Sequence, residues 1–470
     1  MVLGALPVGA PIPAPCRLAV GAPAQPAGHR SAEPGPPEHL ERGAPAASGT
    51  IGTERGCRRI PSRSGTKVLD GMGRILRRGA EPLPRTADAV VIGGGIAGAL
   101  DAFFLGGLGR QSLVLERGSQ LAGLTTAQAV ACFRAQWDEP AHARLVLPSI
   151  AFYERFADET GLPGWEIGLR QQGWLFLTAS DDGPETMRRF VEATRGFGVD
   201  DSESLAGDEV RRRFPWVAER MTAAAYRARD GWVSPHEVAQ GLARAADSEV
   251  RLGTSVTAIL TDGGRVTGVR TDDGEIATRT VVLAGGPFSR RLAATAGLDL
   301  PVETVRHHRA MVTPQPEIPA DGPMTLDTDT GAYWRPEGGG AFLGMGQDEP
   351  GTEPADPVPT DWTFPAVVMD AASRAVPFWA AIAGRLTADE VNLGAGQYTC
   401  TADGLPLLGG TPLEGLYLHT GDNGWGIEGG PGAAMHLAGI IGGSIPDDAT
   451  NPYRLDRPSL AAGAARTITY

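Results

Sequence analysis

A short β-branched run in the stretch DAVVIGGGIAGAL, residues 88–100, leads into three glycines spaced G-x-G-x-x-G: Gly93, Gly95 and Gly98. This spacing lets a backbone turn tightly between a strand and a helix and approach a pyrophosphate at the positive helix end. The next strand, SLVLE, ends in Glu116, where a carboxylate can accept hydrogen bonds from a ribose. The pattern predicts a dinucleotide site. A glycine-rich structural turn and a solvated strand-end carboxylate are the alternatives.

The residues after Glu116 distinguish FAD from NAD. They read RGSQLAGLTTAQAVACFR instead of entering another helix–strand repeat of an NAD domain. Residues 254–289 then read as a strand, a hairpin and a strand that ends in AGG, and residues 402–432 read ADGLPLLGGTPLEGLYLHTGDNGWGIEGGPG. The order of these three motifs favours FAD.

This order resembles the D-amino acid oxidase/sarcosine oxidase superfamily of FAD enzymes over about residues 86–445. The segments FLGMGQDEPG and YTCTADGLPLLG resemble its sarcosine oxidase β-subunit and dimethylglycine dehydrogenase branch most. The resemblance implies an α/β protein in which a Rossmann-type, glutathione-reductase-like FAD-binding domain carries an inserted antiparallel-sheet substrate domain. It also implies oxidation of the C–N bond of a secondary or N-methylated amino acid by hydride transfer to flavin N5, followed by hydrolysis of the imine.

The predicted cofactor set combines the glycine motif with family positions farther along the chain. Backbone N–H groups from Gly424 to Ile427 are expected to face the flavin pyrimidine, where donors stabilise the charge that builds on reduction. The alternative is a glycine-rich helix entry without a ligand. The predicted residues are Gly93, Gly95, Gly98, Glu116, Arg117, Thr125, Thr126, Val256, Gly285, Gly424, Gly426 and Ile427.

Two departures from the family predict that the FAD is held non-covalently. Members with flavin on histidine carry it in a T-T-W-H-type segment, whereas here Thr125-Thr126-Ala127 is followed by Gln128. Members with flavin on cysteine carry it two residues before the Tyr-Thr of the C-terminal motif, and here that position is Gly396. Cys400 is near but displaced.

The resemblance assigns Arg134, in ACFRAQW, as the clamp on the substrate carboxylate, which an arginine can grip bidentately. A structural ion pair is the alternative for this arginine. Tyr333 and Arg335, in AYWRPEG, alternate onto one strand face and are expected to share the pocket, with an ordinary sheet face as the alternative. Of His307 and His308, at most one is expected to face the flavin.

Further departures concern the substrate and the electron acceptor. Trp425 replaces a family histidine, and its indole is expected to line the pocket of a larger or more apolar substrate. The oxygen-activating lysine of monomeric sarcosine oxidase aligns with Phe342 and an active-site histidine with Gly346, while Lys67 is the only lysine. The acceptor, O2 or another, therefore stays open, with a slight preference for a dehydrogenase.

Length and composition limit the remaining possibilities. A chain of 470 residues is expected to form two domains. Its net charge of −13 argues against nucleic acid, and no apolar run is long enough for a membrane span. Four scattered cysteines predict neither disulfides nor a metal site and favour the cytoplasm.

The elements that must position these residues suggest discontinuous domains. Residues 1–85 are expected to be a disordered Pro/Gly/Ala-rich extension or an over-long start, and 451–470 a C-terminal tail. The FAD-binding and substrate domains are expected to alternate along the chain, as 86–160, 226–300 and 396–450 for the first and 161–225 and 301–395 for the second.

Two other functions stay open at this stage. Related flavoproteins oxidise a 2-hydroxy acid or a polyol phosphate, which requires a base near the hydroxyl. The β-subunit resemblance also allows a flavoprotein subunit of a larger dehydrogenase complex, with partner subunits.

Overall fold

The computed structural model describes residues 73–346 and 349–461. Most of the predicted N-terminal extension, Lys67 included, therefore lies outside the described residues. The strands are β1 (Arg74–Arg77), β2 (Ala89–Ile92), β3 (Ser112–Glu116), β4 (Cys132–Phe133), β5 (Trp174–Thr178), β6 (Glu203–Ala206), β7 (Ala223–Arg227), β8 (Gly231–Trp232), β9 (Ser248–Leu252), β10 (Val256–Asp262), β11 (Arg265–Thr271), β12 (Gly274–Ala277), β13 (Val281–Leu283), β14 (Glu303–Val312), β15 (Met324–Asp327), β16 (Ala332–Glu337), β17 (Gly340–Met345), β18 (Val391–Cys400), β19 (Leu407–Gly410) and β20 (Leu416–Thr420).

The helices of the described residues are α1 (Ile96–Gly107), α2 (Thr125–Gln128), α3 (Pro140–Glu154), α4 (Phe156–Thr160), α5 (Gly183–Arg195), α6 (Gly207–Arg213), α7 (Pro235–Ala245), α8 (Ser289–Ala294), α9 (Phe364–Ser373), α10 (Phe378–Ala383), α11 (Gly426–Ile441) and α12 (Pro458–Ala461). Two short 3-10 turns cover Gly286–Phe288 and Ala388–Glu390.

Seven strands form the first sheet, which we call the parallel sheet, in the order β1-β9-β3-β2-β13-β20-β19. All its pairs are parallel except β19 with β20. Strands β2 and β13 are buried at every position, because layers pack on both sheet faces, which explains their unbroken apolar runs. Helix α1 packs between this sheet and α11.

The ordered fold begins earlier and ends later than the sequence predicts. Strand β1 pairs in parallel with β9, so residues before the predicted boundary at 85 are part of the parallel sheet. At the other end, the buried Tyr453 donates a hydrogen bond to the Ala141 carbonyl at 2.6 Å. Arg457 also pairs with Asp403 at 2.6 Å. The described part of the predicted tail therefore packs on the domain.

A second sheet, the mixed sheet, has eight strands in the order β18-β14-β17-β16-β15-β5-β7-β6. It is antiparallel, as expected, at every pair except the parallel pair β15 and β5. Helices α9 and α10 cover one face, where Trp334 and Trp379 lie in a large apolar core. The predicted domain boundaries at 225 and 396 fall inside β7 and β18, which both belong to this sheet.

The two sheets meet where β18 contacts α2. The Thr125 hydroxyl donates to the Gln397 carbonyl at 3.0 Å, which ties the loop after β3 to the edge of the mixed sheet. A small meander of β10, β11 and β12 lies beside the parallel sheet. In the described part of the chain, no helix is both long and apolar enough to cross a membrane, and Cys132 and Cys400 are free.

Candidate active site

A cavity of about 560 Å³ runs between the parallel sheet and the β14–β18 edge of the mixed sheet. Its volume is typical of small-molecule sites. The predicted cofactor residues that line it are Gly93, Gly95, Glu116, Arg117, Thr125, Thr126, Val256, Gly285, Gly424, Gly426 and Ile427.

The glycine turn forms one end of this cavity. Gly93 has φ +111°, a backbone conformation that residues with a side chain rarely adopt. A Cβ on Gly98 would lie 1.9 Å from the Gly93 carbonyl oxygen. Gly98 therefore does not line the cavity but allows α1 to pack on the turn. Gly95 precedes α1, whose first turn holds no acidic residue and no side-chain cap. The N–H of Ile96 donates to the Thr126 hydroxyl at 3.2 Å. The positive end of the helix nevertheless suits a pyrophosphate.

Glu116 closes the β3 end of the turn. Its two carboxylate oxygens accept the backbone N–H groups of Gly94 at 2.7 Å and Gly118 at 2.6 Å. These bonds hold the carboxylate in the cavity wall, where further lone pairs can accept ribose hydroxyls. The neighbouring Arg117 lies 3.9 Å from the Phe288 ring centroid and pairs with Asp356 at 2.6 Å.

The C-terminal glycine loop forms the opposite end. Gly424 has φ +94°, and α11 starts at Gly426 without a side-chain cap, so its first N–H groups point towards the cavity end. One predicted donor is used internally, because the N–H of Trp425 donates to the Asp422 carbonyl at 3.0 Å. This arrangement, together with the glycine turn and Glu116, fits FAD.

A second cavity, of about 70 Å³, adjoins the first. The residues that line both cavities, and so form the passage between them, are Ala129, Val130, Tyr333, Tyr398, Gly424 and Ile427. A small substrate in the second cavity would therefore face the first.

Arg134 lies in the wall of this second cavity and is only 1% exposed. Its guanidinium lies 4.0 Å from the Trp137 ring centroid and 4.8 Å from that of Trp174. Among the described residues, its Nε and Nη2 have no hydrogen-bond partner. These two nitrogens form one side of the guanidinium fork, so a single carboxylate can satisfy both.

The predicted alternative for Arg134, an ion pair with an acidic residue, is present, because Glu428 lies within ion-pair distance. Glu428 Oε2 lies 3.7 Å from Arg134 Nη1, beyond hydrogen-bond distance. Burial lowers the pKa of Arg134, while Glu428 and Asp230 oppose that shift. An arginine titrates so far above neutrality that the guanidinium keeps its charge.

Tyr333 and His307 form a polar pair at the passage. His307 Nε2 lies 2.9 Å from the Tyr333 hydroxyl, and its ring stacks on Tyr398 at 4.6 Å. Burial lowers the pKa of His307 to about 4, so the imidazole is neutral at pH 7. His308 also borders the large cavity, but its ring stacks on Phe364 at 5.1 Å and its Nε2 accepts the N–H of Asp361 at 3.0 Å.

Arg335 is not placed as the sequence predicts. It lines neither cavity; its Nε donates to the Val130 carbonyl at 2.8 Å, and its Nη1 pairs with Glu337. The alternation of β16 is as expected, but the long side chain extends past the pocket wall to the loop behind it. Arg335 therefore supports the passage instead of contacting substrate.

Phe342, which aligns with the family lysine, also lies outside both cavity walls. Arginines flank its ring, with the Arg309 guanidinium 4.7 Å and the Arg335 guanidinium 4.6 Å from the centroid. Arg309 lines the large cavity and donates to the Ala127 carbonyl at 3.2 Å. The cation at this place is thus an arginine from β14, which the sequence reasoning missed.

Three other site residues were missed. Glu428 lines the second cavity and stands within the quoted stretch 402–432, directly after Ile427. His419 and Asp422 line the large cavity, and His419 Nδ1 lies 2.8 Å from the buried Asp101. Asp101 raises the pKa of His419 to about 9 against the lowering effect of burial. A single apolar-looking strand, LYLHT, carries no signal for that pair.

Comparison with known proteins decides the family. The model of the DAO family, described as FAD dependent oxidoreductase, matches residues 88–440. The chain belongs to this family. The match confirms the resemblance, the fold class and FAD as the cofactor of an FAD-dependent oxidoreductase.

Individual relatives agree with this assignment. The chain is 28% identical to human mitochondrial sarcosine dehydrogenase over 85% of its own length and 44% of that protein. It is 29% identical to the sarcosine oxidase subunit beta of Arthrobacter sp over 80% of its length and 93% of that subunit. The chain thus spans less than half of the first relative. L-proline dehydrogenase from P. horikoshii shares the fold, with a TM-score of 0.71 at 24% identity, over 82% of this chain and all of that one.

Proposed function

We propose that this flavoenzyme oxidises the C–N bond of a small secondary or N-methylated amino acid. The observation that carries the proposal is Arg134 itself: it lies in the wall of the cavity that adjoins the flavin cavity, and its Nε and Nη2 have no hydrogen-bond partner among the described residues. A buried guanidinium without acceptors costs about 1–3 kcal/mol per unsatisfied group, which a substrate carboxylate would relieve. Several relatives are named for sarcosine or methylated amino acids, which supports the same class.

In this reaction the residues of the chain bind the substrate, orient it and exclude water. Arg134 holds the carboxylate and so points the amine end towards the passage beside Tyr333 and Tyr398. The rings of Trp174 and Trp425 exclude water from the small cavity. When bound, FAD supplies the hydride acceptor. The small volume favours amino acids with few heavy atoms, and the cytoplasm remains the predicted location.

The test is anaerobic reduction of the oxidised holoenzyme by a panel of amines, amino acids and 2-hydroxy acids. Bleaching of the flavin by secondary or N-methylated amino acids is the expected result. Bleaching by 2-hydroxy acids alone would overturn the proposal, and the absence of bleaching in the purified single chain would favour a subunit role.

We infer that Arg309 supplies the positive charge that the missing lysine provides in relatives. Admission of air after substrate reduction measures how fast O2 reoxidises the flavin. Arg309→Leu removes this charge and is expected to slow reoxidation by O2. If the enzyme uses another acceptor, the same variant is expected to bind the anion sulfite more weakly at the oxidised flavin. Unchanged values in both measurements would contradict this role.

A further inference from the structure

The carboxylate-binding arginine shares its cavity with a buried carboxylate. Glu428, in the first turn of α11, is 4% exposed and lines the second cavity together with Arg134. Burial raises the pKa of Glu428, and the charge of Arg134 opposes the shift. Ionised beside the Arg134 guanidinium, which lies 3.7 Å away, Glu428 weakens the attraction of Arg134 for a plain anion, so the cavity is not simply an anion site.

The two oxygens of Glu428 have different surroundings. Oε1 accepts the backbone N–H of Arg134 and the indole N–H of Trp137, both at 3.0 Å. Oε2 makes no hydrogen bond within the described residues and lies 3.7 Å from Arg134 Nη1. Oε1 therefore fixes the side chain, while Oε2 is left for a ligand.

The remaining walls favour a positive charge. Aromatic side chains surround the same cavity, and ring faces attract ammonium groups. They are Trp174, Tyr333, Tyr398 and Trp425. The cavity thus combines one cation, one anion and several rings within a volume of about 70 Å³.

We propose that Glu428 is a specificity-determining residue, which makes the cavity select ligands that carry a positive charge beside their carboxylate and reject plain carboxylates. Arg134 holds the carboxylate while Glu428 Oε2 and the rings receive the cationic nitrogen. The inference rests on the proposed function, because it takes Arg134 as the carboxylate clamp.

The test compares two ligands of the same shape on the oxidised holoenzyme. Trimethylglycine carries a fixed cation and cannot be oxidised to an imine, and 3,3-dimethylbutanoate replaces its nitrogen by carbon. Dissociation constants come from the change in flavin absorbance and from calorimetry. The wild-type protein is expected to prefer trimethylglycine by about tenfold or more, and Glu428→Gln to abolish this preference by binding 3,3-dimethylbutanoate more tightly.

Asp327→Asn is the matched control. Asp327 is also buried and accepts the backbone N–H of Asp329 at 3.0 Å, but it lines neither cavity. This variant should keep the wild-type preference. Equal binding of both ligands by the wild type, or a preference that survives in Glu428→Gln, would overturn the proposal.

Two further measurements keep the result decisive. If Glu428→Gln does not retain flavin, Glu428→Asp, which keeps the charge, must retain the preference for the cationic ligand, and its loss counts against the proposal. Flavin reduction by amino acids is measured separately. Its failure would overturn the proposed function, whereas equal ligand binding would overturn only the charge selection.

Discussion

Replacement of Arg134 by methionine would remove Nε and Nη2, two buried donors that have no hydrogen-bond partner among the described residues. Each would donate a charge-assisted hydrogen bond to the substrate carboxylate, and such a bond contributes about 1.5–3 kcal/mol. The pair therefore contributes about 3–6 kcal/mol. Since about 1.4 kcal/mol corresponds to tenfold, we expect kcat/KM to fall by about 10²–10⁴-fold.

Arg134→Lys separates charge from geometry. Lysine keeps the positive charge beside Trp137 and Glu428 but cannot present two parallel donors. The kcat/KM of Arg134→Lys should lie between that of the wild type and that of Arg134→Met. The assay is the rate of anaerobic flavin reduction against the concentration of the best amino acid of the panel, with flavin content and Tm recorded for each variant.

Arg251→Met is the matched control for loss of a buried arginine. Arg251 pairs with Glu249 at 2.6 Å, donates to the Glu81 carbonyl at 2.8 Å and lines neither cavity. It should lower Tm and leave flavin reduction unchanged. An Arg134→Met protein with full flavin content and kcat/KM within tenfold of the wild type would refute the assignment of the clamp.

Three other results are expected. Gly98→Ala should abolish flavin retention, because its Cβ would lie 1.9 Å from the Gly93 carbonyl oxygen. The control Gly384→Ala should retain flavin, because the nearest atom to its Cβ lies at 3.5 Å. Equal flavin content in the two variants would contradict this expectation. Acid precipitation should release all flavin into the supernatant, and a yellow pellet would rule out non-covalent binding. The His419–Asp101 pair should stabilise the fold fully below about pH 6.5 and lose that effect as pH rises through about 9, because the pKa of His419 is raised from 6.5 to about 9 on folding. Asp101→Asn should therefore make Tm less dependent on pH between pH 6 and 10. A plot of Tm against pH that runs parallel to that of the wild type would argue against this role of the pair.

The cofactor site could be predicted from the sequence because its determinants are local. A G-x-G-x-x-G turn needs only one strand, one helix and a backbone without side chains, and the chain supplies all of these within residues 88–116. Helix α1, Ile96–Gly107, begins directly after Gly95, where the glycine spacing places the turn into a helix. Of the twelve predicted cofactor residues, Gly98 alone lies outside the cavity wall, because it faces the turn itself.

The errors arose where a side chain reaches across the fold. Alternation correctly gave Tyr333 and Arg335 one strand face, but it could not show that Arg335 extends to the Val130 carbonyl. Strand β14, which pairs with β17, brings Arg309 over the Phe342 ring as well. That contact depends on strand order in the mixed sheet, for which the sequence contains no local signal.

The sequence by itself determined the dinucleotide turn, the family and the residue types available for chemistry, since these follow from short-range spacing. Only the tertiary structure decided which groups surround Arg134, the proposed carboxylate clamp. Arg134 and Glu428 are 294 residues apart in the chain and meet only because β4 packs against the start of α11. Their charges interact through space in a buried cavity, so the selectivity that we infer depends on packing that no motif records.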